Sequence, residues 1–283
     1  MKKIVLIIAG VAMSLMICAQ PSVQFKNVKK CAYYIGKEKY EAYGDEGKLL
    51  YPYQKNEINI HWPKKKGLSP TTEFALKRAI IETIYNLGGL DYSIVEDTAL
   101  IMSGNVFDVL ISDFFEIEED CVPTSSKRIA KKDVETFGVE GILESQIKYQ
   151  KHGVLSLQYD AYYIDHDHIN RNRCGAISFD VERGAALELG DVIQVDSIDE
   201  LIQLVNEAVW AFQKENEIED WNSYVVSLEV EDMYDWYIVD DTLMFVFQKY
   251  DIAPGVYGVV ELGIPVREHK SLFRPDALKY WGL

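Results

Sequence analysis

Histidine and aspartate alternate in one short stretch, Asp165-His166-Asp167-His168, whose composition suits a metal or ligand site. On a strand, alternate residues share a face, so His166 and His168 would lie together with the two aspartates opposite. Two imidazoles at this spacing bind Zn²⁺ if a third ligand arrives from elsewhere in the fold. Motifs this short recur by chance, and a polar strand end or loop tip is the favoured interpretation. We predict no metal and no cofactor, with His166 and His168 as the candidates if a metal binds.

Aromatic and acidic residues form a second class of candidate, a contact surface for a partner. Tyrosine and tryptophan give large contact area at low entropy cost, and acidic neighbours suit a cationic partner. Tyr159 and Tyr163 share the parity of apolar neighbours on their strand, so we predict that they are buried. The candidate binding residues are Tyr162, Asp165, His166, Asp167, His168, Tyr234, Asp235 and Trp236.

Motifs of nucleophilic or metal-dependent hydrolysis are missing from the sequence. It has no G-x-S-x-G or HExxH pattern and no glycine-rich phosphate loop. Cys174 is disfavoured as a nucleophile, because only Arg171 and Arg173 nearby would lower the pKa of its thiol. The sequence favours a protein that is not an enzyme and assigns no catalytic residue, although a hydrolase whose site escapes these motifs stays open.

The chain begins with a pattern typical of an export signal. Lys2 and Lys3 precede an apolar run from Ile4 to Ile17, which is short for a membrane span. We predict a signal peptide over residues 1–19, cleaved after Ala19, and a periplasmic or extracellular protein. Lipidation at Cys18 is the alternative, disfavoured because the preceding residue is not small.

The charge balance narrows the choice of partners. The chain carries 29 basic and 45 acidic residues, a net charge of −16. Such acidity argues against nucleic acid and anionic membranes and favours cationic partners, or only keeps an exported protein soluble. Cys31, Cys121 and Cys174 form no CxxC pair, so a zinc knuckle is disfavoured. An oxidising compartment permits one disulfide of open pairing, but three buried thiols are favoured.

The first half of the chain is predicted to mix strands and helices. Cys31–Ile35 and Lys39–Tyr43 suggest a solvated ribbon, and Glu57–Trp62 alternates like a half-buried strand. Ser69 caps a helix that begins at Pro70 and ends at Gly88-Gly89. A second helix is predicted within Val106–Ile117, and residues 123–126 are predicted to be a loop.

From Gly141 the pattern becomes an antiparallel meander. Strands are predicted around residues 143–149, 154–164 and 177–181, with turns at His152-Gly153 and Arg183-Gly184 and a return strand through Leu187 and Leu189. Ser197 and Glu200 fit a capping box at the start of a helix. Pro275–Trp281 suggests a short terminal helix.

The stretch Asp241–Val266 predicts the centre of a sheet. Residues 243–247 are apolar on both parities, which indicates a strand buried on both faces, with Phe245 and Phe247 inside. After a turn at Pro254, apolar residues recur at even positions from Val256 to Ile264, which predicts a half-buried strand. The fold class predicted is α+β, mainly antiparallel sheets with two or three helices packed on one face.

Three sets of residues resemble a known extracytoplasmic domain of unknown function. They are Leu155-Ser156-Leu157; then Phe179-Asp180, Gly184, Leu187, Leu189 and Asp191-Val192-Ile193; and finally Tyr250, Ile252-Ala253-Pro254, Gly258 and Ile264-Pro265. The domain resembles the C-terminal domain of RsiV-like, lysozyme-sensing anti-sigma factors, which is also found in PdaC-type peptidoglycan deacetylases. Residues 57–87 are similar to the region that usually accompanies it. After the long strand the family usually has Gly-Gly-x-His, which is missing here.

The resemblance implies a domain organisation and a class of function. It divides the chain into the signal peptide, an N-terminal α+β region over residues 20–139 and an RsiV-like domain over 140–283, packed as one unit. It implies an exported, non-enzymatic binding protein whose ligand is a lysozyme-like or other cationic protein, or cell-wall material. The alternative is an envelope- or glycan-associated hydrolase or a metal-binding accessory protein.

Overall fold

The computed structural model of the chain describes residues 22–41, 49–88, 95–115, 121–130, 134, 139–164, 170–218, 227–233 and 235–283. The predicted signal peptide and Cys18 lie outside these ranges. The α+β class is confirmed, with mostly antiparallel strands in two main sheets and a two-stranded ribbon. Within these ranges, no helix has both the length and the apolar character that a bilayer span requires.

The elements are numbered in chain order. The strands are β1 (Phe25–Gly36), β2 (Tyr40–Glu41), β3 (Leu49–Leu50), β4 (Tyr53–Pro63), β5 (Cys121–Thr124), β6 (Val139–Lys151), β7 (Val154–Ile164), β8 (Asn170–Asp180), β9 (Ala185–Ala186), β10 (Trp236–Val239), β11 (Thr242–Phe247) and β12 (Val260–Pro265). The helices are α1 (Pro70–Gly88), α2 (Thr98–Ser103), α3 (Val106–Asp113), α4 (Ser126–Ile129), α5 (Leu189–Val192) and α6 (Ile198–Glu215).

The larger sheet has the strand order β5-β1-β4-β6-β7-β8-β9. Its neighbours are antiparallel except β4 and β6, which run parallel from the pair Gln54–Val139 to the pair Asn59–Glu144. The predicted meander of β6, β7, β8 and β9 is confirmed. The domain boundary predicted at residues 139 and 140 falls at the start of β6 and stays a prediction.

Helix α1 covers one face of this sheet and builds the first core. The predicted cap is confirmed, since the Thr72 amide donates to Ser69 Oγ at 3.1 Å. Apolar residues of the helix meet the odd-numbered residues of β7, as the alternation predicted. The core includes Leu76, Ile80, Ile84, Leu155, Leu157 and Tyr159, and Tyr163 packs against it partly buried.

The second sheet has the order β10-β11-β12, with β11 in the middle. Phe245 and Phe247 are each 1 % exposed, as predicted for a strand buried on both faces. Helix α6 adds Leu201, Val205 and Val209 to the same core. The short terminal helix is also confirmed, as a 3-10 turn over Leu278–Trp281.

The capping box predicted at Ser197 is wrong. The Ser197 side chain makes no capping hydrogen bond. A 3-10 turn over Val195–Ser197 runs directly into α6, and its backbone bond from the Ile198 amide to the Val195 carbonyl begins the helical pattern. A cap is needed only where the first amides have no partner, so the preceding turn removes the need.

Several predictions for the N-terminal half are also wrong. β1 pairs along its length with β4 and at its end with β5, whereas Tyr40–Glu41 pairs with Leu49–Leu50 instead of with β1. Residues 42 and 43 of the predicted ribbon lie outside the described ranges. Residues 121–124 form β5 and residues 126–129 form α4 in place of the predicted loop. Pro123 is accommodated because β5 is an edge strand, where a missing amide costs no ladder bond.

Three apolar residues depart from their predicted positions. Ile147 is 38 % exposed, because the register between β6 and β7 shifts between Ile147 and Tyr149. Val256 is 88 % exposed, because it lies in a 3-10 turn rather than in β12. Leu189 begins α5 instead of continuing a return strand, so β9 is only two residues long.

The three cysteines within the described ranges differ in burial, and none of them forms a disulfide. Cys174 is buried, Cys121 is half-buried and Cys31 is exposed. The prediction of three buried thiols therefore holds only for Cys174. Cys31 is exposed because β1 turns alternate residues of this part of the sheet to solvent.

Candidate functional site

The two sheets stack on each other and leave an open cleft where they part. The sheets meet through the buried residues Cys174, Tyr237 and Val246. Beside β12 they separate around a cleft of about 460 Å³. Its walls come from β6, β7 and β8 on one side and from β12 with the preceding turn on the other. The lining residues are Gln146, Lys148, Gln158, Asp160, Tyr162, Arg173, Tyr257, Gly258, Val259 and Glu261.

Strand alternation positions the wall formed by the larger sheet. Odd residues of β7 face the helices, so its even residues Gln158, Asp160 and Tyr162 face the second sheet. Gln146 lies directly opposite Gln158 in the β6–β7 pair and therefore shares its face. Because the apolar residues of β7 pack against the helices on one face of the sheet, its polar residues point into the cleft on the opposite face.

Glu261 is the centre of a hydrogen-bond cluster in the cleft. Gln158 Nε2 donates to Glu261 Oε1 at 2.6 Å, and the Tyr237 hydroxyl donates to Oε2 at 2.7 Å. Lys148 Nζ lies 3.7 Å from Oε2 and 5.2 Å from the centroid of the Tyr237 ring. Burial and the hydrogen bond to Glu261 raise the pKa of Tyr237, so its hydroxyl keeps the proton that it donates.

Asp160 is a carboxylate whose charge is poorly compensated. Burial raises its pKa, against the opposing effects of a hydrogen bond with Cys174 and the charge of Lys148. Glu261 and Glu144 raise the pKa further through charge repulsion. Within the part of the chain that the structure describes, no cation forms an ion pair with Asp160. A cation delivered from outside would therefore be stabilised here.

Cys174 lies beneath the cleft as a protonated thiol. Burial raises the pKa of its thiol, and Gln158 Nε2 donates to its Sγ at 2.8 Å. A thiol with a raised pKa carries little thiolate at neutral pH and reacts slowly as a nucleophile. Its role in this arrangement is to pack between the sheets and to hydrogen-bond Asp160.

Gln248 joins the two sheets behind the cleft through hydrogen bonds. Its Oε1 accepts from the Cys174 amide at 2.9 Å, and its Nε2 donates to the Cys174 carbonyl and, at 3.1 Å, to Asp235 Oδ2. Asp235 Oδ1 also accepts from the Ala176 amide at 3.4 Å. Burial raises the pKa of Asp235 to about 6. Asp235 thus lies in the joint between β8 and β10.

The residues predicted to bind a partner are dispersed. Tyr162 lines the cleft, Asp235 lies in the joint behind it, and Trp236 is 6 % exposed in the core of the second sheet. Asp165, His166, Asp167, His168 and Tyr234 lie outside the described residues. Among the residues described, no group of three histidine, cysteine, aspartate or glutamate side chains is arranged to hold a metal ion.

Most of the cleft escaped the sequence analysis. The alternation Gln158-x-Asp160-x-Tyr162 opposite an apolar row was a visible signal of a polar strand face. Glu261 follows about one hundred positions later, on a different sheet, so spacing alone could not bring it to Gln158.

Comparison with known proteins identifies a family segment and a shared fold. Residues 190–267, from the start of α5 to the end of β12 and just beyond, match a family described as a protein of unknown function (DUF3298). The chain is similar to the crystal structure of a DUF3298 family member from Bacteroides fragilis, at 16 % identity and a TM-score of 0.60, over 93 % of this chain and 98 % of that one. It is also similar to a DUF3298 family protein from Pseudomonas aeruginosa, at 13 % identity and a TM-score of 0.55, over 92 % of this chain and 97 % of that one.

These likenesses concern architecture. At such identities the two crystal structures show that nearly the whole chain shares their fold. No curated protein matches the chain. The narrower resemblance to the RsiV-like domain stays a prediction.

Proposed function

We propose that the chain is an exported, non-enzymatic binding protein whose cleft receives a cationic polypeptide, with lysozyme-like hydrolases as the first partners to test. The observation that carries the proposal is Asp160, a half-buried carboxylate that lines the cleft and has no ion-pair partner among the described residues. A desolvated carboxylate is costly until a cation pairs with it. A lysine or arginine side chain of the partner would supply that cation.

Overall charge and the sequence resemblance support the same class of partner. A net charge of −16 attracts cationic proteins over a distance of about 8 Å at physiological salt. The resemblance of residues 155–157, 179–193 and 250–265 to the RsiV-like domain makes lysozymes the first choice. Tyr162 and Tyr257 on the walls of the cleft add aromatic contact area.

Cell-wall material is the second candidate. The Gln146 amide offers both a donor and an acceptor, and the facing Gln158 amide offers its oxygen as an acceptor, which together complement the hydroxyl and amide groups of peptidoglycan. Soluble peptidoglycan fragments that bind without any protein partner, and with an affinity that salt hardly changes, would favour this candidate over the cationic polypeptide.

Isothermal titration calorimetry with lysozymes of several classes, at low salt and again at high salt, tests the leading proposal. We expect saturable binding that weakens as salt rises. Asp160→Asn keeps the shape of the side chain but removes its charge, and should weaken binding about tenfold, because a hydrogen bond to a charged group is lost. Asp199→Asn, at an exposed position of α6, removes the same charge and should have little effect.

Failure of every lysozyme class to bind at low salt would refute the choice of partner. Equal affinities of the Asp160→Asn and Asp199→Asn variants would show that binding occurs away from the cleft. Export is tested separately by the intact mass of the secreted protein, which should correspond to cleavage after Ala19. A lipid adduct on Cys18 would replace a free exported protein by an anchored one.

A further inference from the structure

The outer edge of β12 runs beside the cleft and has no strand next to it in the described chain. β12 is the last strand of its sheet. Val259, just before it, and Glu261, within it, both line the cleft. An edge strand offers backbone donors and acceptors on its free side, and extended peptides bind other proteins by adding a strand there.

The register fixes which backbone groups point outward. The Val266 amide donates to the Asp241 carbonyl at 2.9 Å, so these opposite residues form a hydrogen-bonded pair. Such pairs alternate along an antiparallel ladder. Leu262 and Ile264 therefore bond to β11, whereas Glu261 and Gly263 direct their amides and carbonyls away from it. On the other side of β11, the Val246 amide donates to the Asp235 carbonyl. The even-numbered residues of β11 therefore bond to β10, which leaves its odd-numbered residues to bond to β12.

Two residues at the edge of β12 have unpaired outward backbone groups in the described chain. Glu261 and Gly263 are both exposed, and no residue in the described ranges hydrogen-bonds to their backbone groups. Pro265 closes one end, because it has no amide and its carbonyl accepts from the Glu268 amide. The open edge thus fits a short extended segment of about three to five residues, with a rise of about 3.3 Å per residue.

We infer that the partner enters the cleft as an extended segment, which adds a fourth strand at Glu261 and Gly263 and places a basic side chain against Asp160. This inference rests on the proposed binding of a cationic polypeptide and adds the way in which it binds. Alternate side chains of the added strand face the larger sheet, as the Glu261 side chain does.

Charge selects the occupant of this edge. A second copy of the chain could pair edge to edge, but two molecules of charge −16 repel each other. A cationic segment is attracted by the same charge and by Asp160 in particular. A basic polypeptide strand is therefore the occupant that fits both the backbone and the electrostatics.

The experiment uses a fluorescent peptide, fluorescein-Ser-Lys-Val-Lys-Val-Ser-amide, and its backbone N-methylated forms. Anisotropy titration should show binding to the wild-type protein, and replacing lysine by glutamate should abolish it. N-methylation at one set of alternate residues should weaken binding about fivefold for each lost hydrogen bond, and at the other set should have little effect. Equal effects at all positions, or no binding of the lysine peptide, would overturn strand addition.

A matched pair of protein variants tests the same edge from the other side. Glu261→Pro and Glu261→Ala both remove the carboxylate, and both leave the backbone hydrogen bonds between β12 and β11 in place. Only Glu261→Pro also removes the backbone N–H that points outward from the edge. We expect about fivefold weaker peptide binding by Glu261→Pro than by Glu261→Ala, with equal urea midpoints as the check on folding. Equal binding by the two folded variants would contradict the inference.

The outcomes separate the inference from the proposal on which it rests. If lysozyme binds and depends on Asp160, but the peptide does not bind and the two Glu261 variants bind lysozyme equally, strand addition is wrong and the proposed function stands. If neither lysozyme nor the peptide binds, both strand addition and the proposed function are wrong. Analytical ultracentrifugation tests whether the edge binds a second copy of the chain instead. A wild-type dimer that dissociates in the Glu261→Pro variant but persists in Glu261→Ala would assign the edge to that second copy.

Discussion

Removing the carboxyl group of Asp235 should change the pH dependence of stability. Burial raises its pKa in the folded chain from 3.8 to about 6. The raised value means that the folded state binds the proton more tightly than the unfolded state. The stabilisation is therefore complete below about pH 4 and is lost as pH rises through about 6. Since a difference of one in pKa corresponds to about 1.4 kcal/mol, the whole effect is about 3 kcal/mol.

The variant Asp235→Asn isolates this effect because it cannot titrate. The free energy of unfolding of Asp235→Asn, relative to wild type, should rise by about 2 kcal/mol between about pH 4.5 and about pH 7.5. The side-chain amide that Asp235→Asn introduces faces Gln248 Nε2 and lowers the free energy of unfolding by an amount that is the same at every pH. That amount therefore does not affect the change with pH. The neighbouring carboxyl of Asp251, whose pKa burial also raises, is present in both proteins and cancels to first order.

Urea unfolding followed by circular dichroism at several pH values measures these free energies. Asp276→Asn, which removes an exposed carboxylate on the C-terminal segment, controls for the loss of one negative charge. A difference between Asp235→Asn and wild type that stays constant across the pH range would refute the reasoning. It would show that Asp235 is ionised in the folded protein at the same pH as in the unfolded chain.

Two further substitutions test the packing of the sheets. Tyr280→Phe should lower the free energy of unfolding by about 1–3 kcal/mol, because the buried Asp180 then loses the hydroxyl that donates to it at 2.6 Å; urea unfolding measures this, and no change would mean that another donor replaces it. Gly141→Ala should cost about 1–3 kcal/mol, since its Cβ would lie 2.4 Å from the Phe115 ring, whereas Gly190→Ala meets nothing within 4 Å. Equal thermal midpoints for the two alanine variants would contradict the predicted clash.

Local patterns predicted the elements whose environment is set by near neighbours. Ser69 caps α1 because its partner is three residues away, and residues 243–247 are buried on both faces as their continuous apolar pattern indicated. Ser197 has the same local signature as a cap, but the preceding turn satisfies the helix start instead. Local signals therefore predict an element well only when no neighbouring element supplies the same bond.

Pairings between distant segments could not be predicted in this way. The parallel pair of β4 with β6, the bulge at Ile147 and the meeting of Gln158 with Glu261 depend on the assembled sheets. The cleft consists of such pairings, which is why, of the three candidate binding residues that the structure describes, only Tyr162 lines it. The polar alternation on β7 indicated a wet face, but its opposite wall comes from another sheet.

The parallel pairing of β4 with β6 bears on how the nascent chain matures. Gln54 and Val139 lie about 85 positions apart, so β4 leaves the ribosome long before its neighbour is made. Until then, β4 is open on that side, and closing so long a loop slows the search for the correct strand. We expect refolding yield to fall with protein concentration, because open strands from two molecules can meet before β6 reaches its place.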